Sequence, residues 1–284
     1  MASWRFAAIG TAWRIDTPEP LAGPVVAEVL DRIERFDRAW SRFRDDSLVS
    51  DIARSPGAHA MPAEADALLS FYGELDAVTG GAVNPLVGRT LADLGYDADY
   101  SLVASAEPAA VPPWSTVAWR SPTLTTSRPV LLDVGAAGKG LLVDLVAAIL
   151  RRHVDAVTVD ASGDILHAGA APLRVALEHP ADPTRAIGVA VLEPGLALCA
   201  SATNRRAWGD GLHHVLDGRT GRPTEDVVAT WVVADSCMVA DGLATAHFMT
   251  DQAGLVGRFR HEFVRMHDDG RVEWSLDFRG EIFA

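Results

Sequence analysis

Between Val154 and Ala234 the chain reads as short apolar runs separated by turn signals. The runs are Val154 to Val159, Arg174 to Glu178, Ile187 to Leu192 and Val227 to Ala234, and Pro194-Gly195 is the clearest turn. Helical patterns lie outside this region. Val25 to Trp40 sets Val26, Val29, Leu30, Ile33, Phe36 and Trp40 at helical spacing, and Glu64 to Thr79 is stopped by Gly80-Gly81. Leu141 to His153 carries Leu142, Leu145, Val146 and Ile149 on one face, and Ser236 to Met249 is one more helix. Helices and strands without strict alternation predict an α+β fold with mixed, largely antiparallel sheets and packed helices.

The 284 residues, 49% of them apolar, suffice for a sizeable core, and residues 1–284 read as a single domain with room for two lobes. Trp4 to Asp16 is a strand broken at Gly10-Thr11. Ser41 to Ser50 is a charged loop ending in a helix N-cap, Asp97 to Pro129 is an irregular excursion, Val130 to Val134 is a buried strand, and Asp268-Asp-Gly270 turns a terminal hairpin. A net charge of −13 excludes a general nucleic-acid binder, which needs clustered Lys and Arg. The two cysteines, Cys199 and Cys237, have no metal or redox spacing and read as small buried hydrophobes. The N-terminus has no basic start followed by a long apolar stretch, and no 18-residue apolar run occurs, so the expectation is no membrane span and a cytoplasmic address. Of 25 basic residues only Lys139 is a lysine.

Three segments could carry chemistry. Asp133-Val-Gly135-Ala-Ala-Gly138-Lys139-Gly140 lies between a strand and a helix, where glycines admit a phosphate to the backbone and a helix N-terminus offers free N–H groups. It has neither the Walker spacing nor Gly-x-Gly-x-x-Gly, and a tight turn with an exposed lysine explains it equally well. In Ser236 to Ala246, Asp241 and Thr245 are four residues apart on one helix face, and two hard oxygens suit Mg²⁺; an ordinary solvated Asp is the alternative. In His213-His214-Val-Leu-Asp217-Gly-Arg219-Thr-Gly221-Arg222-Pro223, a His and an Asp beside two Arg could supply a base and anion contacts, or merely a hairpin turn. Thr203 to Trp208 could be a substrate rim or a basic loop.

Together these segments resemble, in order and spacing, the ApbE family of FAD:protein FMN transferases, from Ile9 to Gly254. Ile9-Gly10-Thr11 is similar to its Met-Gly-Thr, Ser41 to Ser50 to its Ser-x-Phe/Tyr-x-x-x-Ser-Glu-Leu/Val-Ser, and Thr79 to Gly88 to its Ser/Thr-Gly-Gly-Ala-x-Asp-x-Thr-Val-Gly. The lysine loop, followed by Val143-Asp144, resembles Asp-Leu-Gly-x-x-Ala-Lys-Gly with its Val-Asp. Gly163-Asp164-Ile165, His214 to Pro223 and Met238 to Thr245 resemble Gly-Gly-Asp-Ile, His-Ile-x-Asp-Pro-x-Thr-Gly-Arg-Pro and Met-x-Ala-Asp-x-Leu-Ala-Thr.

The resemblance implies an ApbE-like, T-fold-like arrangement with an FAD cleft between two lobes. It implies Mg²⁺ held by Asp241, Thr245 and the backbone oxygen of Ala136, and FAD lined by Ile9, Phe43, Asn84, Pro85, Leu86, Asp133, Lys139, Val215 and Ala244. His214 is then the candidate for activating the acceptor, a Ser or Thr hydroxyl of a partner flavoprotein, with Lys139 stabilising charge on the diphosphate and AMP leaving; Asp160 and Asp164 are alternative bases. Ile9 stands for the family's Met, Asn84 for its Asp, Leu86 for its Thr and Gly218 for its Pro. These departures keep two other readings open: an FAD pyrophosphatase giving FMN and AMP, and a non-catalytic FAD-binding protein.

Overall fold

The computed structural model describes residues 1–283. Strands β1 (Ala2–Ala8) and β2 (Thr11–Thr17) pair antiparallel, so Gly10-Thr11 is a reversal of direction and not a gap in one strand. Helix α1 (Gly23–Trp40) buries Val25, Val29, Ile33, Phe36 and Trp40, while Leu30 faces solvent. Ser47 caps the short helix α2 (Leu48–Arg54) by accepting from the Ser50 amide. After β3 (Ala58–Ala60), helix α3 (Ala65–Thr79) ends at Gly80, whose left-handed backbone closes the last turn. A single 3₁₀ turn and α4 (Gly88–Asp93) follow.

The excursion from Asp97 is irregular only as far as Pro113. Beyond it, β4 (Val117–Arg120) and β5 (Thr123–Thr126) join β3 in a small antiparallel sheet. Residues 130–134 form no strand. Val130, Leu132 and Val134 are buried in the alternating manner of a strand, but the backbone finds no strand partner; the Asp133 amide bonds instead to the Pro85 carbonyl at 2.8 Å. Helix α5 (Gly138–Leu150) begins earlier than its apolar run suggests, so Lys139 lies in the first helical turn.

The remaining strands are β6 (Val157–Asp160), β7 (Asp164–Ala168), β8 (Leu173–His179), β9 (Asp182–Leu192) and β10 (Ala197–Ala202). Two short ladders follow, β11 (Ala207–Trp208) with β12 (Leu212–His213) and β13 (Leu216–Asp217) with β14 (Arg222–Pro223). Then come β15 (Val227–Ala234), α6 (Cys237–Ala246), α7 (Gln252–Arg258), β16 (Glu262–His267), β17 (Val272–Trp274) and β18 (Gly280–Ile282). The principal sheet runs β1-β2-β6-β7-β10-β15-β16-β17, and β18-β9-β8 form a second sheet; every strand pair is antiparallel.

Both faces of the principal sheet are covered, which is why β15 reads as an unbroken apolar run. Val232 and Ala234 pack into the larger core with α1, α3, α5 and α6, while Trp231 and Val233 meet Leu177, Ile187 and Leu192 of the second sheet. Among the described residues no helix is long and apolar enough to cross a membrane.

Candidate functional site

Two close approaches bring distant segments to one place. Gly140 in α5 lies against α6: an added Cβ would fall within contact distance of the Cys237 carbonyl oxygen and 2.8 Å from Asp241 Cβ. The absence of a side chain lets the helices meet, and the Gly140 amide donates to Asp241 Oδ2 at 2.9 Å. Gly218 does the same for the hairpin, since a Cβ there would meet Ala82 O and Asn84 Cβ at 3.0 Å, and its amide donates to Ala82 O at 2.8 Å. A proline at 218 would remove that donor.

The result is a cavity of about 760 Å³. Ile9, Phe43, Asn84, Asp133, Ala136, Lys139, His214, Val215, Asp241 and Thr245 all lie on its wall. Pro85, Leu86 and Ala244 do not: they are buried in the core, where the Pro85 carbonyl positions Asp133 and the Ala244 carbonyl accepts from the Thr230 hydroxyl. Leucine at 86 therefore removes no polar group from the wall. Asn84 uses both ends of its amide: Oδ1 accepts from the Leu86 N–H and Nδ2 donates to the Pro112 carbonyl at 2.9 Å. An aspartate could not make the second bond, so this asparagine ties the 97–113 excursion to the wall.

Ala136, Asp241 and Thr245, which line the same cavity, each carry an oxygen. In a continued helix the Gly140 N–H would point to the Ala136 carbonyl, four residues back; it is turned to Asp241 instead, and no backbone donor among the described residues takes its place. A carbonyl, a carboxylate and a hydroxyl on one wall fit a hard cation that takes oxygen ligands, such as Mg²⁺. Burial and the nearby Asp164 charge raise the Asp241 carboxyl well above the usual carboxylate range, which Lys139 and the Gly140 amide only partly oppose.

Lys139 bonds the Ala161 carbonyl at 3.3 Å and forms an ion pair with Asp164. Burial works against its charge, but Asp164 and Asp241 outweigh it and hold the ammonium above the ordinary lysine value. Asp164 is completely buried behind this wall, and Asp160 lies off it, bonding the Gly163 amide and Arg14. His214 is pushed down to about 4 by burial, with Arg206 and His213 adding to the effect, so the imidazole is neutral at pH 7. Its Nδ1 has no hydrogen-bond partner among the described residues. The adjacent His213 serves the fold, bonding the Thr224 carbonyl at 2.8 Å.

The basic groups on the wall are not those of the hairpin. Arg219 is held by Asp217 at 2.6 Å, and neither it nor Arg222 lines the cavity. Arg42 and Arg206 do. Arg42, hidden in the sequence as a spacer between Ser41 and Phe43, bonds Asp133 Oδ2 at 2.5 Å and the Tyr96 carbonyl at 2.6 Å, and lies over the Phe43 ring at 4.2 Å. Tyr72 also lines the cavity, its buried hydroxyl without a partner among the described residues. Within the apolar pattern of α3 nothing distinguishes it from core. Tyr96 and Tyr100 complete an aromatic group around Phe43, with ring centroids 5.3 Å from it.

The arrangement can bind a flat-ringed, anionic molecule, polarise it with a hard cation and a lysine, and take up a proton on a neutral imidazole. The ApbE family model matches residues 9–259. An FAD:protein FMN transferase of Rhodobacter capsulatus is 29% identical over 98% of this chain and 58% of its own length. One of Vibrio cholerae is 31% identical over 54% of this chain and 50% of its own. The chain thus spans about half the length of these two relatives. The fold is similar to crystal structures of an ApbE protein of Thermotoga maritima (TM-score 0.84, 23% identity, 97% of each chain) and of the flavin transferase ApbE of V. cholerae (TM-score 0.79, 24% identity, 97% of each chain).

Proposed function

The chain belongs to the ApbE family, and from that premise we propose that it is a Mg²⁺-dependent transferase that moves FMN from FAD to a Ser or Thr hydroxyl of a partner flavoprotein and releases AMP. The reading rests on one observation: Ala136, Asp241 and Thr245 line one cavity with Lys139 and with the neutral imidazole of His214, whose Nδ1 has no hydrogen-bond partner among the described residues. A divalent cation bound there supplies electrostatic stabilisation to diphosphate oxygens. Lys139 adds a fixed positive charge, kept protonated by Asp164. Phe43 and the tyrosines packed around it give the cavity an aromatic lining for a flavin or adenine ring.

In the reaction the acceptor Oγ bonds to the FMN phosphorus as the bridging P–O bond to AMP breaks. The acceptor proton passes to a nitrogen of His214. An anionic diphosphate beside that ring raises its proton affinity as substrate binds, which offsets the depression that burial imposes.

The test is incubation of the full chain with FAD, Mg²⁺ and a candidate acceptor flavoprotein. AMP together with an FMN mass increment on the acceptor is the expected result. AMP with no increment on any acceptor would mean a pyrophosphatase, and flavin binding without AMP a carrier.

A further inference from the structure

The two cysteines, 38 positions apart, meet: their Sγ atoms are 3.4 Å apart. Cys199 of β10 is the register partner of Asp164 of β7, and Cys237 is the first residue of α6, one turn before Asp241. The two sulfurs and an Asp164 carboxylate oxygen all lie within 4.8 Å of one another, and all three residues are fully buried. We infer that Cys199, Cys237 and Asp164 form a second metal site, for a thiophilic divalent cation of the Zn²⁺ class, directly behind the wall that carries Asp241.

The donor geometry supports this. A tetrahedral cation with metal–sulfur bonds of about 2.3 Å has ligand–ligand edges of roughly 3.8 Å, so the sulfurs need to part by only a few tenths of an ångström. Asp164 is ion-paired with Lys139 and borders the Cys199 thiol, so its carboxylate is already held beside the two sulfurs.

The supports are rigid. Asp144 accepts from the Cys237 and Met238 amides, each at 2.9 Å, and Cys199 sits mid-sheet, paired with β7 on one side and β15 on the other. Lys139 and Asp241 both line the cavity and both border Asp164, so an ion entering from the cavity would pass these two side chains. Donor chemistry separates the two sites: the all-oxygen set of Ala136, Asp241 and Thr245 suits Mg²⁺, and the sulfur-containing set a softer ion. Each thiol that becomes a metal–sulfur bond gives its proton to solvent, so one dication enters as two protons leave.

Cd²⁺ titration of the reduced, metal-free full chain, followed by the ultraviolet thiolate-to-Cd²⁺ charge-transfer band, tests the assignment. Saturation at one equivalent is expected, with about two protons released per ion and no displacement by excess Mg²⁺. The band should vanish in Cys199→Ala and Cys237→Ala, and Asp164→Asn should weaken binding by about 10-fold or more. Circular dichroism of each variant reports its fold, and proton release and band intensity on the unaltered chain remain decisive if a variant does not fold. The inference is overturned by the absence of a band, by a band that survives in either cysteine variant, or by a wild-type stoichiometry of a single thiolate.

Discussion

The Gly140 amide donates to Asp241 Oδ2 at 2.9 Å across 101 residues of sequence. This bond joins the first turn of α5 to the middle of α6, leaves the Ala136 carbonyl without a backbone donor among the described residues, and brings the lone lysine beside the buried carboxyl. Much of the site's behaviour follows from that junction.

Gly140→Ala would press a methyl into the Cys237 carbonyl and Asp241 Cβ. The helices must part, at a cost of about 1–3 kcal/mol typical of overpacking, and the cation site loosens with them. Urea unfolding should show the loss, and AMP release should require more Mg²⁺. A variant with wild-type stability and Mg²⁺ dependence would contradict the packing argument.

Asp241→Asn keeps an oxygen to accept from Gly140 but removes the charge that a hard cation needs. AMP release should fall by roughly 10²–10³-fold or more, while thermal unfolding without added metal stays at or above that of the wild type, because repulsion with Asp164 is relieved. Turnover measured against Mg²⁺ concentration decides; unchanged turnover removes the cation assignment.

Asn84→Asp restores the residue that the family pattern carries yet sets a carboxylate against the Pro112 carbonyl in place of a donor. Losing one buried hydrogen bond while leaving the carbonyl unpaired costs about 1–3 kcal/mol. Hydrogen exchange should quicken in residues 97–113 and not in the principal sheet.

His247 is buried and pushed down to about 3, chiefly by burial, with His261 and Arg265 adding to the effect, and its Nε2 lies 2.9 Å from His261 Nε2. Since the folded value lies below the unfolded value of 6.5, the unfolded chain takes up the proton first as pH falls. Stability should therefore be undiminished above about pH 6.5, decline steadily toward pH 3 and level off below. His247→Gln should flatten that decline in urea midpoints compared at pH 7 and pH 4; a slope equal to the wild type's would show that the acid sensitivity arises elsewhere.

The sequence by itself determined the fold class and most of the elements. The turn-separated strands from Val157 to Ala234 pair antiparallel, Gly80 stops α3, Ser47 caps α2, and Asp241 and Thr245 share a helix face, because backbone sterics, capping and helical period act within a few residues. Residues 130–134 carry a strand's pattern but no strand, since pairing needs a neighbour that only the folded chain could have supplied. Contacts across long separations were likewise left to tertiary structure: Arg42 against Asp133, Tyr72 on the cavity wall, the core positions of Leu86 and Ala244, and the meeting of Cys199 with Cys237. Local rules say which way a side chain points from its own element, but what it meets is decided by how closely the elements can approach, and here Gly140 and Gly218 set that distance.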